Sequence, residues 1–173
     1  MKYTKRIDAI TLKRNNQVND YIKKCARIIM NHCLENKIGH LVIGYNEDFK
    51  RNINMGKKNN QQFTQIPFGN LREQLSNLCE HYGISYKEQE ESYTSKASFF
   101  DNDVLPKWNP TDETKHSFSG KRIKRGLYRT SAGYELNADI NGALNILRKS
   151  NLLDCTILQA RGRLARPLRI RVI

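Results

Sequence analysis

The chain has 173 residues and carries 30 Lys and Arg against 17 Asp and Glu, a net charge of +13, so its field suits a polyanionic partner such as nucleic acid. No apolar run approaches the roughly 18 residues of a membrane span, and the start Met1-Lys-Tyr-Thr-Lys-Arg has no apolar signal core, so no membrane and a cytosolic setting are expected. Cys25, Cys33, Cys79 and Cys155 include no C-x-x-C pair, which excludes a zinc ribbon or a dithiol redox motif.

Residues 1–16 are basic and lack clear periodicity beyond a short apolar turn at Ile7, Ala9 and Ile10. From Gln17 to Asn36, Val18, Tyr21, Ile22, Cys25, Ile29 and Cys33 keep helical spacing, with Gly39 as a stop signal, which predicts an amphipathic helix. His40-Leu-Val-Ile-Gly-Tyr-Asn46 reads as a strand buried on both faces, and a helix leading into such a strand suggests an α/β layer. Asn46 to Gln65 is polar; Gly56-Lys57-Lys58 lacks Walker spacing, so nucleoside triphosphate binding is excluded and a solvated loop expected. Pro67 suits a first helical turn, and Phe68, Leu71, Leu75, Leu78 and Tyr82 form the next stripe, closed by Gly83. Ile84 to Glu91 alternates as a second strand, and the two strands of this strand-helix-strand unit should lie parallel.

Between Ser92 and Leu136 turn signals replace periodicity. Lys121-Arg-Ile-Lys-Arg-Gly-Leu-Tyr-Arg129 gathers Lys121, Arg122, Lys124, Arg125 and Arg129 around Tyr128, a mixture suited to gripping phosphates and stacking a base or sugar; a solvated charged loop is the alternative. Asn137 to Lys149 predicts a helix with Ile140, Ala143, Leu144 and Leu147 on one stripe and Arg148 and Lys149 at its negative end. Asn137 or Asp139 can cap it; an acid at a helix N-terminus is favoured ionised, so Asp139 is either a capping residue or a holder of a hard cation such as Mg²⁺. Ala160 to Ile173 alternates Arg with apolar residues, an added strand or a basic arm.

Three segments in order, Glu91-Ser-Tyr-Thr-Ser-Lys-Ala-Ser-Phe99, Phe118-Ser-Gly-Lys-Arg-Ile-Lys-Arg-Gly-Leu-Tyr128 and Asn137-Ala-Asp-Ile-Asn-Gly-Ala-Leu-Asn-Ile146, resemble the C-terminal half of TnpB-type proteins. These are RNA-guided nucleases of bacterial insertion sequences, long described as transposases and related to type V CRISPR effectors. The resemblance runs from about Gln17 to Lys149. It implies a partial RuvC-like, RNase H-type α/β fold: a basic segment at 1–16, a helix-strand-helix-strand part at 17–91, a ribbon-like insertion at 92–136, the last RuvC-like helix at 137–149 and a basic tail at 150–173.

In such a fold three carboxylates gather two divalent metals for phosphodiester cleavage. Asp139 matches the last acid. Gly44 stands where the family has its middle Glu, and Glu91, or alternatively Glu90, would replace it as metal ligand from the end of the neighbouring strand. Lys96, Lys121, Arg122, Lys124, Arg125, Tyr128 and Arg129 would contact nucleic acid. The family's ribbon is held by two C-x-x-C pairs around zinc; no Cys stands here, so no zinc is expected, and Phe99, Trp108, Phe118, Tyr128 and Tyr134 would hold the module by packing. The first acid is expected upstream of the helix that begins near Gln17; Asp8 imitates it but has no room for the sheet that should follow. The resemblance thus implies a bacterial, cytoplasmic DNA- and RNA-binding remnant of an RNA-guided DNA endonuclease, inactive alone and using Mg²⁺ only if its site is completed. The alternative is an insertion-sequence endonuclease subunit that a missing segment can complement.

Overall fold

The computed structural model describes residues 4–46, 67–109, 111, 114–155, 158, 167, 170 and 172. The polar loop expected up to Gln65, apart from Asn46, and most of the Arg-rich tail lie outside these residues. Among the described residues no helix is long and apolar enough to cross a membrane.

The first helix, α1 (Lys5–Glu35), starts twelve residues before the periodicity suggested. Thr4 caps it, its side chain accepting from the Ile7 N–H at 3.4 Å, and Asp8 suits the positive end from the first turn. Its buried residues, Ile22, Ala26, Met30 and Cys33, begin only half-way along. Residues 4–17 are all exposed, so no apolar stripe marks them. Periodicity reports burial, and this stretch is helical without being buried.

Strand β1 (His40–Tyr45) pairs with β2 (Ser85–Glu90) across α2 (Phe68–Tyr82). Ser85 N–H donates to Gly39 C=O at 2.9 Å and Glu91 N–H to Tyr45 C=O at 3.2 Å. Both residue numbers advance together, so the strands are parallel, as expected. β1 is half-buried beyond its exposed first residue, not buried on both faces. Pro67 is the N-cap of α2 rather than a first-turn residue, and Gly83, at φ 68°, ends the helix in the left-handed region that glycine adopts without strain.

The chain divides into two compact units, and the division falls within β1, after Leu41, and within β2, after Tyr86. In the first, α1 and α2 close on Met30, Cys33, Cys79 and Ile84, with Ile29, Ile38, Leu41, Leu78 and Tyr86 packed around them. Burial raises the pKa of both thiols, as for small core residues.

The second unit contains an antiparallel sheet of β3 (Lys121–Lys124), β4 (Leu127–Arg129) and β5 (Glu135–Asn137), followed by α3 (Ala138–Lys149). Gly126, at φ 75°, makes the tight turn between β3 and β4. Phe99, Leu144 and Cys155 form one buried cluster; Tyr128, Leu136 and Ala138 form another. Two aromatics expected to hold the ribbon do not: Trp108 is 54% exposed and Tyr134 73%. The α3 stripe is also shifted. Ala143 is exposed, whereas Asn141 and Asn145 are wholly buried beside Leu144.

Candidate carboxylate site and basic hairpin

Asn137 ends β5 and caps α3, its side-chain oxygen accepting from the N–H groups of Asp139 at 2.9 Å and Ile140 at 3.1 Å. The capping duty is therefore taken, and the Asp139 carboxylate is left at the helix mouth, 84% exposed, with Arg122 of β3 at 3.9 Å.

Glu91 follows directly on β2. A Cβ built on Gly44 would lie 2.6 Å from Glu91 Oε2 and 2.7 Å from Ile146 Cδ1. The Glu91 carboxylate thus fills the space that a side chain at position 44 would need, beside α3. Ile146 is seven residues after Asp139, so the two share one face of α3, with a rise of about 10 Å between them. Burial raises the Glu91 pKa, and the neighbouring charge of Glu90 adds to it.

Glu90 has a different duty. It accepts from Lys149 Nζ at 2.5 Å and from the Ser92 N–H at 2.5 Å. Burial works to raise its pKa, but these hydrogen bonds and the Lys149 charge outweigh it, and the carboxyl is held below its ordinary range. Lys149, with a nearly buried side chain, also donates to the carbonyls of Ser92 and Pro106. Of the two acids considered for the middle position, Glu90 is a strut between β2 and α3, while Glu91 faces the gap left by Gly44.

The segment after Glu91 is fastened to α3 by two side chains that the sequence reading passed over. Asn145 Nδ2 donates to Thr94 C=O at 2.9 Å and Ala97 C=O at 2.8 Å. Asn141 Nδ2 donates to Ala97 C=O at 2.7 Å, and its Oδ1 accepts from the Phe99 N–H at 3.0 Å. Thr94 in turn donates through both its N–H and its hydroxyl to Glu91 C=O. A continuous chain of hydrogen bonds therefore runs from the helix that bears Asp139 to the backbone of Glu91. Asn at i and i+4, on the face of Ala138 and Leu144, was the available signal.

Two aspartates tie the ribbon where no Cys is present. Asp101 accepts from Ser131 N–H at 2.9 Å and its hydroxyl at 2.6 Å. Asp103 accepts from Ser98 N–H at 2.7 Å, Ser119 N–H at 3.0 Å and the Ser119 hydroxyl at 2.5 Å. Burial works to raise the Asp101 pKa, yet the hydrogen bonds from Ser131 and Ser98 prevail and lower it.

Tyr128, expected to stack on a base, is wholly buried, and its hydroxyl donates to Lys96 C=O at 2.8 Å. Burial pushes its pKa up to about 12. It is a core residue of the ribbon because β4 alternates, turning Tyr128 inward between two residues that point the other way. Lys96, Lys121, Arg122, Lys124 and Arg125 are exposed. Arg129 is exposed too, but it pairs with Glu135 through Nε at 3.0 Å and a terminal nitrogen at 2.6 Å. Asp8 sits in the first turn of α1, on a helix and not on a strand.

Asp139 and Glu91 therefore address the same side of α3, with Arg122 beside the first. Among the described residues no three His, Cys, Asp or Glu side chains gather as a metal centre.

Residues 68–146 match the family model for the TNB domain of Cas12f1-like proteins. The fold is similar to that of Cas12f1 in a cryo-EM structure of the Cas12f1–sgRNA–target DNA complex, with a TM-score of 0.58 and 22% identity. That match covers 86% of this chain and 38% of the Cas12f1 chain, so this chain spans well under half the length of the protein it resembles. Comparison with curated proteins gives no match.

Proposed function

We propose, from the match of residues 68–146 to the TNB domain of Cas12f1-like proteins, that the chain is a TnpB- and Cas12f1-type relative that binds nucleic acid and carries two acids of a RuvC-like centre, Asp139 and Glu91, without cutting DNA by itself. The observation that carries this reading is the position of Glu91: its carboxylate fills the space beside Gly44, next to Ile146, which shares a face of α3 with Asp139 about 10 Å along the helix. The cap made by Asn137 supports it, because it relieves Asp139 of the capping duty.

Carboxylate oxygens are the right kind of donor for Mg²⁺, which would lower the pKa of an attacking water and stabilise the leaving oxygen of a phosphodiester. Two carboxylates fall short of the set that holds two ions about 4 Å apart. The residues' own parts in this reading are distinct. Asp139 and Glu91 offer oxygen ligands, Arg122 offers a cation to a phosphate next to Asp139, and Lys96, Lys121, Lys124 and Arg125 hold the backbone of the strand. The similar Cas12f1 protein was solved with sgRNA and target DNA, which supports the same partners here; a bacterial cytoplasm and an insertion sequence are the setting that the resemblance to TnpB-type proteins implies. Mg²⁺ would be needed only with the site completed, and no zinc is required by a ribbon that Asp101 and Asp103 tie.

The test is a nuclease assay on single- and double-stranded DNA in Mg²⁺ or Mn²⁺. The purified chain alone should be inactive, and activity should appear when a segment bearing a further Asp is supplied, then disappear in Asp139→Ala and in Glu91→Gln. Nicking by the chain alone that Asp139→Ala removes would overturn the claim of inactivity. Complemented activity that survives Glu91→Gln would overturn the assignment of Glu91. Direct metal analysis finding one zinc per chain would refute the account of the ribbon.

A further inference from the structure

The first half of α1 has no core to face. Upstream of Ile22 most of its core-facing positions, Asn19, Asn15, Thr11 and Asp8, are polar, Leu12 in line with Met30 is itself exposed, and residues 4–17 are exposed on every side. At about 100° per residue, Lys5, Arg6, Lys13, Lys23, Lys24 and Arg27 fall within roughly 100° of arc on the flank next to the core face, along about 33 Å of helix, and Arg27 at its end donates to the Tyr82 hydroxyl of α2 at 2.9 Å. All six are exposed. The one carboxylate in that arc, Asp20, is paired with Lys24 at 3.1 Å. Among the described residues Lys5, Arg6, Lys13 and Lys23 form no ion pair.

A row of six cations against one carboxylate repels itself, and a polyanion of matching length relieves that repulsion while releasing its own counterions. The row is close in length to one turn of a double helix, about 34 Å. The arc holds no aromatic side chain to stack an unpaired base. We propose that this face of α1 binds the phosphate backbone of a nucleic-acid duplex, as a contact separate from the β3–β4 hairpin. The inference rests on the nucleic-acid-binding reading above and adds a second surface to it.

The experiment measures binding of the full chain to a 20-base-pair DNA duplex by fluorescence anisotropy over a series of salt concentrations. Three proteins are compared: the wild type, a quadruple variant Lys5→Gln, Arg6→Gln, Lys13→Gln, Lys23→Gln, and a hairpin variant Lys121→Gln, Lys124→Gln, Arg125→Gln. Each phosphate contact contributes about 0.9 to the slope of log affinity on log salt, so the α1 variant, with four cations removed, should lose up to about 3.6 from the wild-type slope and bind at least about tenfold more weakly. Circular dichroism should show unchanged helix content. A charge-keeping variant, Lys5→Arg, Lys13→Arg, Lys23→Arg, should bind as the wild type does. An α1 variant with the wild-type slope overturns the inference and leaves the hairpin reading standing. A hairpin variant with the wild-type slope overturns the hairpin instead, and a wild-type slope near zero overturns both. Equal affinity and slope on a 20-nucleotide single strand would overturn the duplex as the occupant.

Discussion

The core between α1 and α2 and the junction between the ribbon and α3 are both buried, but they are made of different material. Met30, Cys33, Cys79 and Ile84 meet as apolar surfaces, and among the described residues of that unit no polar side chain is buried. At the other junction Asn141 and Asn145 lie wholly buried beside Phe99 and Leu144, and they satisfy the backbone of residues 94–99. An apolar contact accepts many shapes of similar volume, whereas a buried amide accepts only the geometry that pairs its donors and acceptors. The polar junction is the one that joins the Glu91 segment to the helix of Asp139. Under the proposed reading, that precision lies where Asp139 and Glu91 must keep their relation.

Four changes would break or sharpen that contrast. Tyr128→Ala should have the largest effect: it removes a fully buried ring and the hydroxyl bond to Lys96, and should cost about 4 kcal/mol in a urea titration monitored on the ribbon. A loss below about 1 kcal/mol would mean that Tyr128 is not the ribbon's core.

Shape-preserving swaps come next. Asn145→Leu keeps the volume but takes the amide donor from the Thr94 carbonyl, leaves Ala97 C=O with Asn141 alone and removes the oxygen that accepts from Arg148 at 3.0 Å, and should cost about 2 kcal/mol. Met30→Leu, wholly buried in the other unit, should cost less than about 1.5 kcal/mol. Equal costs, measured by chemical denaturation, would erase the distinction between the two interiors.

Acid should separate the carboxylates by sign. The folded-state pKa of Asp101 is lowered, so its contribution is present above the ordinary value of 3.8 and is lost as pH falls through the folded value. Asp101→Asn should therefore destabilise near neutral pH and make little difference well below 3.8. Glu91 runs the other way: its folded pKa is raised above 4.5, so the stability it lends is present below that value and is lost as pH rises through the folded one. Glu91→Gln should raise the melting temperature near neutral pH and leave it unchanged in acid. A stabilising Asp101→Asn or a destabilising Glu91→Gln at neutral pH would contradict these assignments.

The smallest effect belongs to Arg129 and Glu135. Both side chains are nearly half exposed, so solvent screens the pair, and a double-mutant cycle should give about 0.5 kcal/mol despite the 2.6 Å contact. A coupling above about 2 kcal/mol would show that β4 and β5 depend on it.

Much of the fold was legible because local pattern and burial coincided. The α2 stripe ended at Gly83, the two strands fell where apolar and alternating runs lay, and Asn137 opened α3. The first half of α1 was missed because a helix exposed on all sides has no stripe. Tyr128 was misread because an aromatic among cations has the composition of a stacking site, and only its pairing with Leu136 in the sheet turns it inward. Asn141 and Asn145 were overlooked because an amide carries no sign of burial until its partners, more than forty residues away, are placed.

The sequence by itself determined the charge, the order of the elements, the acid at the mouth of α3 and the glycine at position 44, since each is a property of neighbouring residues. Tertiary structure decided which acid is structural and which faces the gap. Glu90 and Glu91 are adjacent and identical in type, yet β2 turns successive side chains to opposite sides, so Lys149 binds the first and the space beside Gly44 receives the second.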